Sequence, residues 1–181
     1  MYTDIEIDIE TDVRLAKEGN KEAFIRLIKK HEVQMYNMAR SIVRRDEDCA
    51  DAMQEAVYKA YRALPSLNHH AYFKTWLFRI LINECNMILR KQARVIMLAE
   101  LPEIGEAPPE ISDRLDLRQA IYRLEEVSRN IVILFYFQDL PMHQIAEMMD
   151  MSVSAVKTRL HRARHTLADW LDDSVERKMN G

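Results

Sequence analysis

Residues that interrupt helices are scarce in this sequence. Among 181 residues there are three glycines and five prolines, which leaves little material for the tight turns that join strands. Strong helix formers such as Leu, Ala, Met, Glu, Lys and Arg are abundant instead. The composition therefore predicts an all-α protein.

Long apolar runs are also absent. No stretch approaches the roughly 20 apolar residues that a membrane-spanning helix needs. The first residues, MYTDIEIDIETD, are acidic, whereas a secretory signal begins with basic residues and continues with an apolar segment. We therefore expect a cytoplasmic protein that is not integral to a membrane.

Residues that carry catalysis or bind metals are few. The two cysteines, Cys49 and Cys85, have neither metal nor redox spacing, so we expect them to be reduced and buried. The histidine pairs His69–His70 and His161–His165 have no third ligand nearby, and a metal site needs about three or four. Phosphate-binding glycine loops and nucleophile motifs are missing. The sequence therefore predicts no enzymatic activity, no cofactor, no metal and no small-molecule substrate.

Charge is segregated along the chain, although its net value is only −3. Residues 1–22 hold seven acids and three bases, and residues 151–168 hold four bases and no acid. Residues 74–94 hold five bases against one acid, Glu84. Two basic stretches in an acidic chain indicate two contacts with a polyanion, with the remaining surface kept away from it.

The first half of the chain is predicted to form an acidic tail and four helices. The tail DIEIDIETD alternates like a strand, but a lone strand is not stable. Thr11 or Asp12 is expected to cap a short helix that ends at Gly19, and Asn20 is expected to cap the second. Asp46 is the expected cap of the third, which Pro65 ends. The fourth covers residues 72–96. The predicted apolar positions of the second helix are Ala23, Phe24, Leu27, Ile28, Val33, Met35, Met38, Ile42 and Val43, and those of the fourth are Phe73, Trp76, Leu77, Ile80, Leu81, Met87 and Ile88.

The segment AELPEIGEAPPEIS is rich in proline and glutamate, which predicts a flexible linker and a domain boundary. After it, Ser112 and Ser128 are expected to cap two further helices. Pro141 is expected in the first turn of the next helix, MHQIAEMM, and Ser152 is expected to cap the last.

The last helix has one apolar and one polar-basic face. Val153, Val156, Leu160, Ala163 and Leu167 are predicted to form the buried stripe. Ser154, Thr158, His161, Arg162 and His165 point the other way, with Lys157 and Arg159 on the flanks and Arg164 near the apolar edge. Two short helices joined by a tight turn, the second with a basic face, are typical of a helix-turn-helix that enters the major groove. The alternative is a solvated basic face on an ordinary helical hairpin.

Three motifs in this order are similar to those of a known family. IAEMMDMSVSAVKTRLHRARHTL resembles the DNA-binding region of bacterial sigma factors of the extracytoplasmic-function group. DCADAMQEAVYKAYRAL and FKTWLFRILINECNMILR resemble that family's other domain. The resemblance covers residues 12 to about 172.

The resemblance implies two small helical domains joined by a flexible linker, in a subunit that binds bacterial core RNA polymerase and directs it to promoters. It implies an acidic tail at 1–11, sigma region 2 at 12–95, a linker at 96–112, sigma region 4 at 113–175 and a C-terminal tail at 176–181. Promoter DNA is bound as duplex at the minus-35 element and as an opened single strand at the minus-10 element. An anti-sigma factor is a further implied partner.

The resemblance also assigns residues to three surfaces. The implied minus-35 contacts are Ser154, Lys157, Thr158, Arg159, His161, Arg162 and Arg164. The implied minus-10 contacts are Asn68, His69, His70, Lys74, Thr75, Arg79, Asn83, Asn86 and Arg90, of which residues 75 to 90 are expected to form one polar stripe. The implied contacts with core polymerase are Asp48, Asp51, Gln54 and Glu55. A free-standing helix-turn-helix regulator remains the alternative function.

Overall fold

A computed structural model of the chain describes residues 9–99 and 117–179. Within these two ranges the regular structure consists of eight α-helices and two short 3-10 turns, without a strand. The chain divides into two compact units, with the division between Leu89 and Arg90. The all-α prediction is therefore confirmed. Most of the expected acidic tail, most of the expected linker and the Ser112 cap lie outside the described residues. Where these segments are described they are helical: residues 9–11 belong to α1, residues 96–99 to α4 and residues 176–179 to α8.

Unit 1 begins with helices α1 (Ile9–Lys17) and α2 (Lys21–Val43). Asn20 caps α2 as predicted, because its Oδ1 accepts a hydrogen bond from the Ala23 amide at 3.1 Å. Gly19 has a φ of 97° between the two helices, a conformation that favours glycine. The prediction that Thr11 or Asp12 caps α1 is wrong: α1 starts earlier, and the buried carboxylate of Asp12 pairs with Arg26 of α2.

Helices α3 (Asp46–Ala63) and α4 (Phe73–Ala99) follow, with 3-10 turns at Leu64–Ser66 and His70–Tyr72 between them. Unit 1 ends within α4, at Leu89. Asp46 does not cap α3; that position belongs to Arg45. The Asp46 carboxylate instead accepts a hydrogen bond from Tyr36 Oη at 2.8 Å and pairs with Arg40 at 3.2 Å. The negative charge of Asp46 still lies in the first turn of α3, where the positive end of the helix dipole stabilises it.

The core of unit 1 follows the predicted apolar stripes with two exceptions. Its large, fully buried side chains include Leu27, Met35, Ile42, Phe73, Leu77 and Leu81. Val33 and Met87 were expected there, but they are 71% and 52% exposed. Each lies on the solvent side of its helix. Single apolar residues are common on protein surfaces, so an apolar residue alone does not show that its position is buried.

The two cysteines are buried and unpaired, as predicted. Burial raises the pKa of the Cys85 thiol to about 12, and the nearby Cys49 adds to this shift. A thiol with so high a pKa is almost wholly protonated at neutral pH, and the thiolate is the reactive form.

Unit 2 contains α5 (Leu117–Arg123), α6 (Glu126–Tyr136), α7 (Met142–Met149) and α8 (Val153–Met179). Ser152 caps α8 as predicted, since its Oγ accepts a hydrogen bond from the Ala155 amide at 3.2 Å. Pro141 lies at the N-cap of α7, one position before the first turn. Ser128 does not cap α6, because the Glu125 carboxylate accepts hydrogen bonds from the Val127 and Ser128 amides at 3.1 and 3.2 Å.

The turn between α7 and α8 is made without glycine. Asp150 adopts the left-handed conformation, with φ 55° and ψ 48°, which aspartate tolerates better than most residues. The Met151 amide donates to the Ala146 carbonyl at 2.9 Å, so the turn closes the end of α7. This turn therefore has the backbone of a helix-turn-helix despite its unusual residue.

His31 makes the stability of unit 1 depend on pH. It is buried against Phe73 and Phe78, and its Nε2 has no hydrogen-bond partner among the described residues. Burial, helped by the positive charge of Lys74, lowers its pKa. As pH falls below about 6.5 the unfolded state binds a proton that the folded state rejects, so the free energy of unfolding falls by at most about 1.4 kcal/mol per pH unit.

Fluorescence of Trp76 in a Trp170→Phe background would report this change for unit 1 alone, since the chain has two tryptophans. We expect His31→Gln to flatten the pH dependence between 6.5 and 5, and the exposed control His69→Gln to retain it. Equal slopes for both variants would show that His31 is not the group that titrates.

Candidate nucleic-acid interface

The polar face of α8 is built by burial of its opposite face. Val156, Leu160, Ala163 and Leu167 are buried as predicted, whereas Val153 is 48% exposed because it stands at the first residue of the helix. A stripe buried at these positions turns the residues between them outward. The side chains that consequently lie exposed are Ser154, Lys157, Thr158, His161, Arg162, Arg164 and His165.

The two small polar residues of this face are partly engaged by the helix itself. Thr158 Oγ1 donates to the Ser154 carbonyl at 2.9 Å, and the hydroxyls of Ser152 and Ser154 are 3.0 Å apart. The hydroxyl oxygens of Ser154 and Thr158 can still accept further hydrogen bonds, because each has two lone pairs. They leave a shallow, polar area among the longer basic side chains.

Two of the predicted DNA contacts on α8 have partners inside unit 2. Arg159 is half-buried, and its Nη1 lies 3.3 Å from Glu125 Oε2 at the start of α6. Arg164 lies over the rings of Phe135 and Tyr136, at 5.9 and 5.5 Å from their centroids. The sequence placed Arg164 near the apolar edge of the helix without indicating these rings, and nothing in the local pattern pointed to Glu125.

Glu125 joins the start of α6 to α8. Its partial burial would raise the pKa of the carboxyl, but hydrogen bonds from the Val127 and Ser128 amides outweigh this, and the nearby Arg159 adds to them. The pKa therefore lies below its ordinary value. The carboxylate stays ionised at neutral pH, where it both caps α6 and holds Arg159.

His161 and His165 lie one turn apart on α8, with ring centroids 4.5 Å from each other. Among the described residues no group of three or more His, Cys, Asp and Glu side chains could hold a metal ion. The pair therefore belongs to the polar face of α8.

In unit 1, a short loop before α4 presents three of the predicted contacts. Asn68 and His69 are exposed and His70 is half-buried, while Leu67 before them and Phe73 after them are buried. The His69 ring meets the Tyr72 ring edge-on at 5.9 Å. We call residues 67–72 the α3–α4 loop.

Most of the predicted polar stripe of α4 is accessible, with one correction. Lys74, Arg79, Asn83 and Arg90 are exposed and Thr75 is half-buried, but Asn86 is 2% exposed. A step of three residues falls about 60° short of a full turn, so Asn86 turns from Asn83 toward the packed side of the helix. The exposed position that follows Asn83 is Met87 instead.

Trp76 lies between the core and the surface. Its side chain is half-buried and its ring is 6.0 Å from that of Phe73. The indole edge is therefore accessible on α4, one heptad before Asn83, which places both on one side of the helix.

The start of α3 carries an acidic, exposed face. Asp51, Gln54 and Glu55 are exposed, whereas the Asp48 side chain is only 14% exposed and lies 4.0 Å from Arg45 Nε. Glu55 Oε1 is 3.7 Å from Lys59 Nζ. The accessible acids are therefore Asp51 and Glu55, with Asp48 at the margin.

Lys59 connects α3 to α4. Its Nζ donates to Oε2 of the buried Glu84 at 2.7 Å, and this hydrogen bond raises the pKa of Lys59. Glu84 directly follows Asn83 on α4 and is the one acid among residues 74–94. Because its charge is buried and paired, the exposed face of α4 stays basic.

Comparison with known proteins identifies the family. Residues 27–95 match the family model "Sigma-70 region 2", and residues 114–167 match "Sigma-70, region 4". The ECF RNA polymerase sigma-E factor of Escherichia coli K12 is 31% identical over 182 residues, covering 91% of this chain and 95% of that protein. The chain belongs to the extracytoplasmic-function sigma factors. It is a transcription initiation factor that directs RNA polymerase to promoters.

Solved structures have the same fold as this sigma factor. CnrH, in complex with the cytosolic domain of CnrY, is 26% identical with a TM-score of 0.67, and the match covers 91% of this chain and 97% of CnrH. The sigma factor RpoE from Bartonella quintana, in complex with the anti-sigma factor NepR, is 23% identical with a TM-score of 0.59, covering 82% and 96%. Over the part of this sigma factor that the structure describes, none of the helices has the length and apolar character needed to cross a membrane.

Arg162 and Arg164 give a test of the α8 face with matched charge changes. We expect Arg162→Met to weaken binding of a promoter duplex about tenfold and to reduce its salt dependence by about one counterion. Arg164→Met should weaken binding less but lower the unfolding midpoint of unit 2 by roughly 2 to 6 °C, because it loses its aromatic contacts. Fluorescence anisotropy and Trp170 emission measure the two effects. Equal losses of binding without a change in stability would contradict this division.

Proposed function

We propose that this sigma factor reads promoters through two separate surfaces and docks on core polymerase through a third. The exposed polar-basic face of α8 reads the minus-35 duplex, and the α3–α4 loop with α4 binds the opened minus-10 strand. The observation that carries the proposal is the burial of one stripe on α8, which leaves its cations and small polar residues exposed together.

The α8 face fits duplex DNA in shape and charge. A single helix fills the major groove, where side chains of its first turns reach base edges. Lys157, Thr158, His161 and Arg162 are exposed within the first three turns, and we assign base and phosphate contacts to them and to Ser154. Arg159 and Arg164 are assigned to phosphates. To reach a phosphate, Arg159 must leave or share Glu125, and Arg164 must leave or share the Phe135 ring.

The surface of unit 1 fits a single strand. Single-stranded DNA is held by cations along its backbone and by amides and aromatic rings that contact the bases. Arg79 supplies a cation on α4, Asn83 supplies an exposed amide, and Asn68, His69 and His70 supply polar groups in the loop. Arg90, the first residue of unit 2, donates hydrogen bonds from Nε and Nη2 to the Glu126 carboxylate at 2.7 and 2.6 Å, so it reaches a phosphate only by leaving or sharing that partner. Lys74 and Thr75 lie at the start of α4 beside them. Asn86 is left out of this surface because it is buried.

The acidic face of α3 supports docking on a basic surface of core polymerase. Asp51, Gln54 and Glu55 are exposed on one side of the helix, and like-signed DNA would be repelled from it. Complementary charge steers association and fixes orientation. Asp48 lies at the margin of this face and contributes less, because its side chain is mostly buried.

The domain assignment follows these surfaces. We assign residues 12–95 to sigma region 2 and residues 113–175 to sigma region 4, with a linker at 96–112 and tails at either end. The two family matches, at 27–95 and 114–167, support this division. Polymerase carries the catalytic site, so the sigma factor itself acts without catalysis, in the cytoplasm where the promoters are.

An anti-sigma factor is the third partner in this proposal. RpoE from Bartonella quintana was solved in complex with the anti-sigma factor NepR. Both units of this chain expose large apolar side chains that a protein partner would cover, among them Val33 and Met87 in unit 1 and Tyr136 and Phe137 in unit 2.

Run-off transcription tests the whole proposal. Purified bacterial core polymerase is given sheared genomic DNA from the source organism, with and without this protein. We expect new, discrete start sites that share two upstream elements, and co-elution of the protein with core polymerase. No transcripts and no co-elution, together with a dimer that binds a palindrome in sedimentation and footprinting, would favour a free-standing helix-turn-helix regulator.

Asn83→Ala tests the surface for the opened strand. We expect at least a several-fold loss of permanganate-reactive thymines at the promoter, because the exposed amide that contacts a base is removed. Binding of minus-35 duplex and of core polymerase should stay unchanged, since both use other surfaces. Asn37→Ala is the control for loss of an exposed amide from unit 1, because Asn37 lies on α2 outside the proposed surfaces. If opening is normal in the Asn83 variant, that residue does not contact the minus-10 element.

A further inference from the structure

We propose that Lys17 is a positioning residue that holds the α3–α4 loop in the shape required to select minus-10 bases. This inference rests on the proposed function of that loop. Lys17 lies on α1, 50 residues before the loop in sequence, and contacts its backbone. It acts through the loop and is not assigned a contact with DNA.

Helix α1 is fixed firmly enough to serve as a support. Val13 and Ala16 are buried, and the carboxylate of Asp12 accepts hydrogen bonds from both Nε and Nη2 of Arg26 on α2. The Asp12 side chain is only 7% exposed, and a buried carboxylate with a paired guanidinium resists displacement. The last turn of α1, where Lys17 lies, is therefore held against α2.

From this support, Lys17 Nζ donates a hydrogen bond to the Leu67 carbonyl at 2.7 Å. The bond is partly buried and its donor is charged, which makes it stronger than a bond between neutral groups. The Leu67 amide donates to the Leu64 carbonyl at 3.1 Å, and the Leu67 side chain is buried. Both backbone groups of Leu67 and its side chain are thus held.

Leu67 is the anchor that precedes the exposed part of the loop. Asn68 and His69 follow it directly, and the Tyr72 amide closes the next turn on the His69 carbonyl at 3.1 Å. The buried Phe73 then starts α4. Because the peptide that joins Leu67 to Asn68 contains the bonded carbonyl, losing Lys17 would free that peptide to rotate and would move the Asn68 and His69 side chains.

The other basic residue of α1 provides a matched control. Arg14 pairs with Glu18 one turn away at 3.4 Å, and both side chains are more than half exposed. Arg14→Met therefore removes the same charge from the same helix without touching the loop. Lys17→Met removes the donor but keeps an apolar stem of similar length, and Lys17→Arg keeps a charged donor.

The experiment measures base selection at the minus-10 element. Run-off transcription uses holoenzyme on promoters that keep one minus-35 element and differ by single bases in the minus-10 element. We expect Lys17→Met to lower the ratio of transcription from the best to the altered sequences roughly five- to tenfold, which is less than the full worth of a charge-assisted hydrogen bond because the loop keeps its other anchors. Lys17→Arg should restore much of the ratio, and Arg14→Met should leave it unchanged.

Hydrogen exchange separates positioning from general stability. In Lys17→Met we expect faster exchange at the amides of residues 67–72, with exchange in α2 and α3 unchanged. Uniform loss of transcription at all promoters, or faster exchange throughout unit 1, would overturn the proposal and leave Lys17 a merely structural residue.

Asn68→Ala and His69→Ala distinguish failure of this inference from failure of the proposed function. If these variants alter base selection but Lys17→Met does not, the inference about Lys17 is wrong and the role of the loop stands. If neither loop variant alters selection while transcription remains active, the loop does not read the minus-10 element, and the inference fails with it.

Discussion

Burial of one apolar stripe on each long helix is the constraint from which the binding surfaces follow. Leu160 on α8, and Leu77 and Leu81 on α4, are completely or almost completely buried. A helix fixed along one side has no freedom to rotate, so the side chains opposite are presented at set positions. The residues proposed to contact DNA therefore owe their arrangement to buried residues on the opposite side of the helix. Substitutions in these stripes would change recognition by turning the helix, even where the chain still folds.

Acidic residues have two distinct roles in a chain whose net charge is −3. Asp51 and Glu55 lie exposed on α3, where they suit a basic partner. Asp12, Glu84 and Glu125 instead pair inside their own units with Arg26, Lys59 and Arg159. Asp12 and Glu84 are buried, so removing Arg26 or Lys59 would leave an uncompensated buried charge, which costs more than the pair contributes. The internal acids thus fix several cations in place, while Lys157 and Arg162 remain exposed on α8.

Features that depend on neighbouring residues in the chain could be predicted from the sequence. Features that depend on contacts between distant residues could not. Helix periodicity was sufficient for the all-α fold, and the caps Asn20 and Ser152 act on amides three residues away. Asp46 and Ser128 were wrong as caps because Tyr36 and Glu125 change their surroundings. Asn86 was placed on an exposed stripe because spacing alone does not show which edge of a helix is covered. The contact of Lys17 with Leu67 spans 50 residues, and no local pattern indicates it.

The two buried thiols make the protein chemically asymmetric. Cys49 and Cys85 are both in unit 1, and residues 90–181 contain no cysteine. With the pKa of Cys85 near 12, an alkylating reagent at neutral pH reaches these sulfurs only when unit 1 opens. Alkylation kinetics would therefore record the opening of unit 1 alone, in the intact chain. The same measurement made with core polymerase or DNA present would state how strongly each partner holds that half closed.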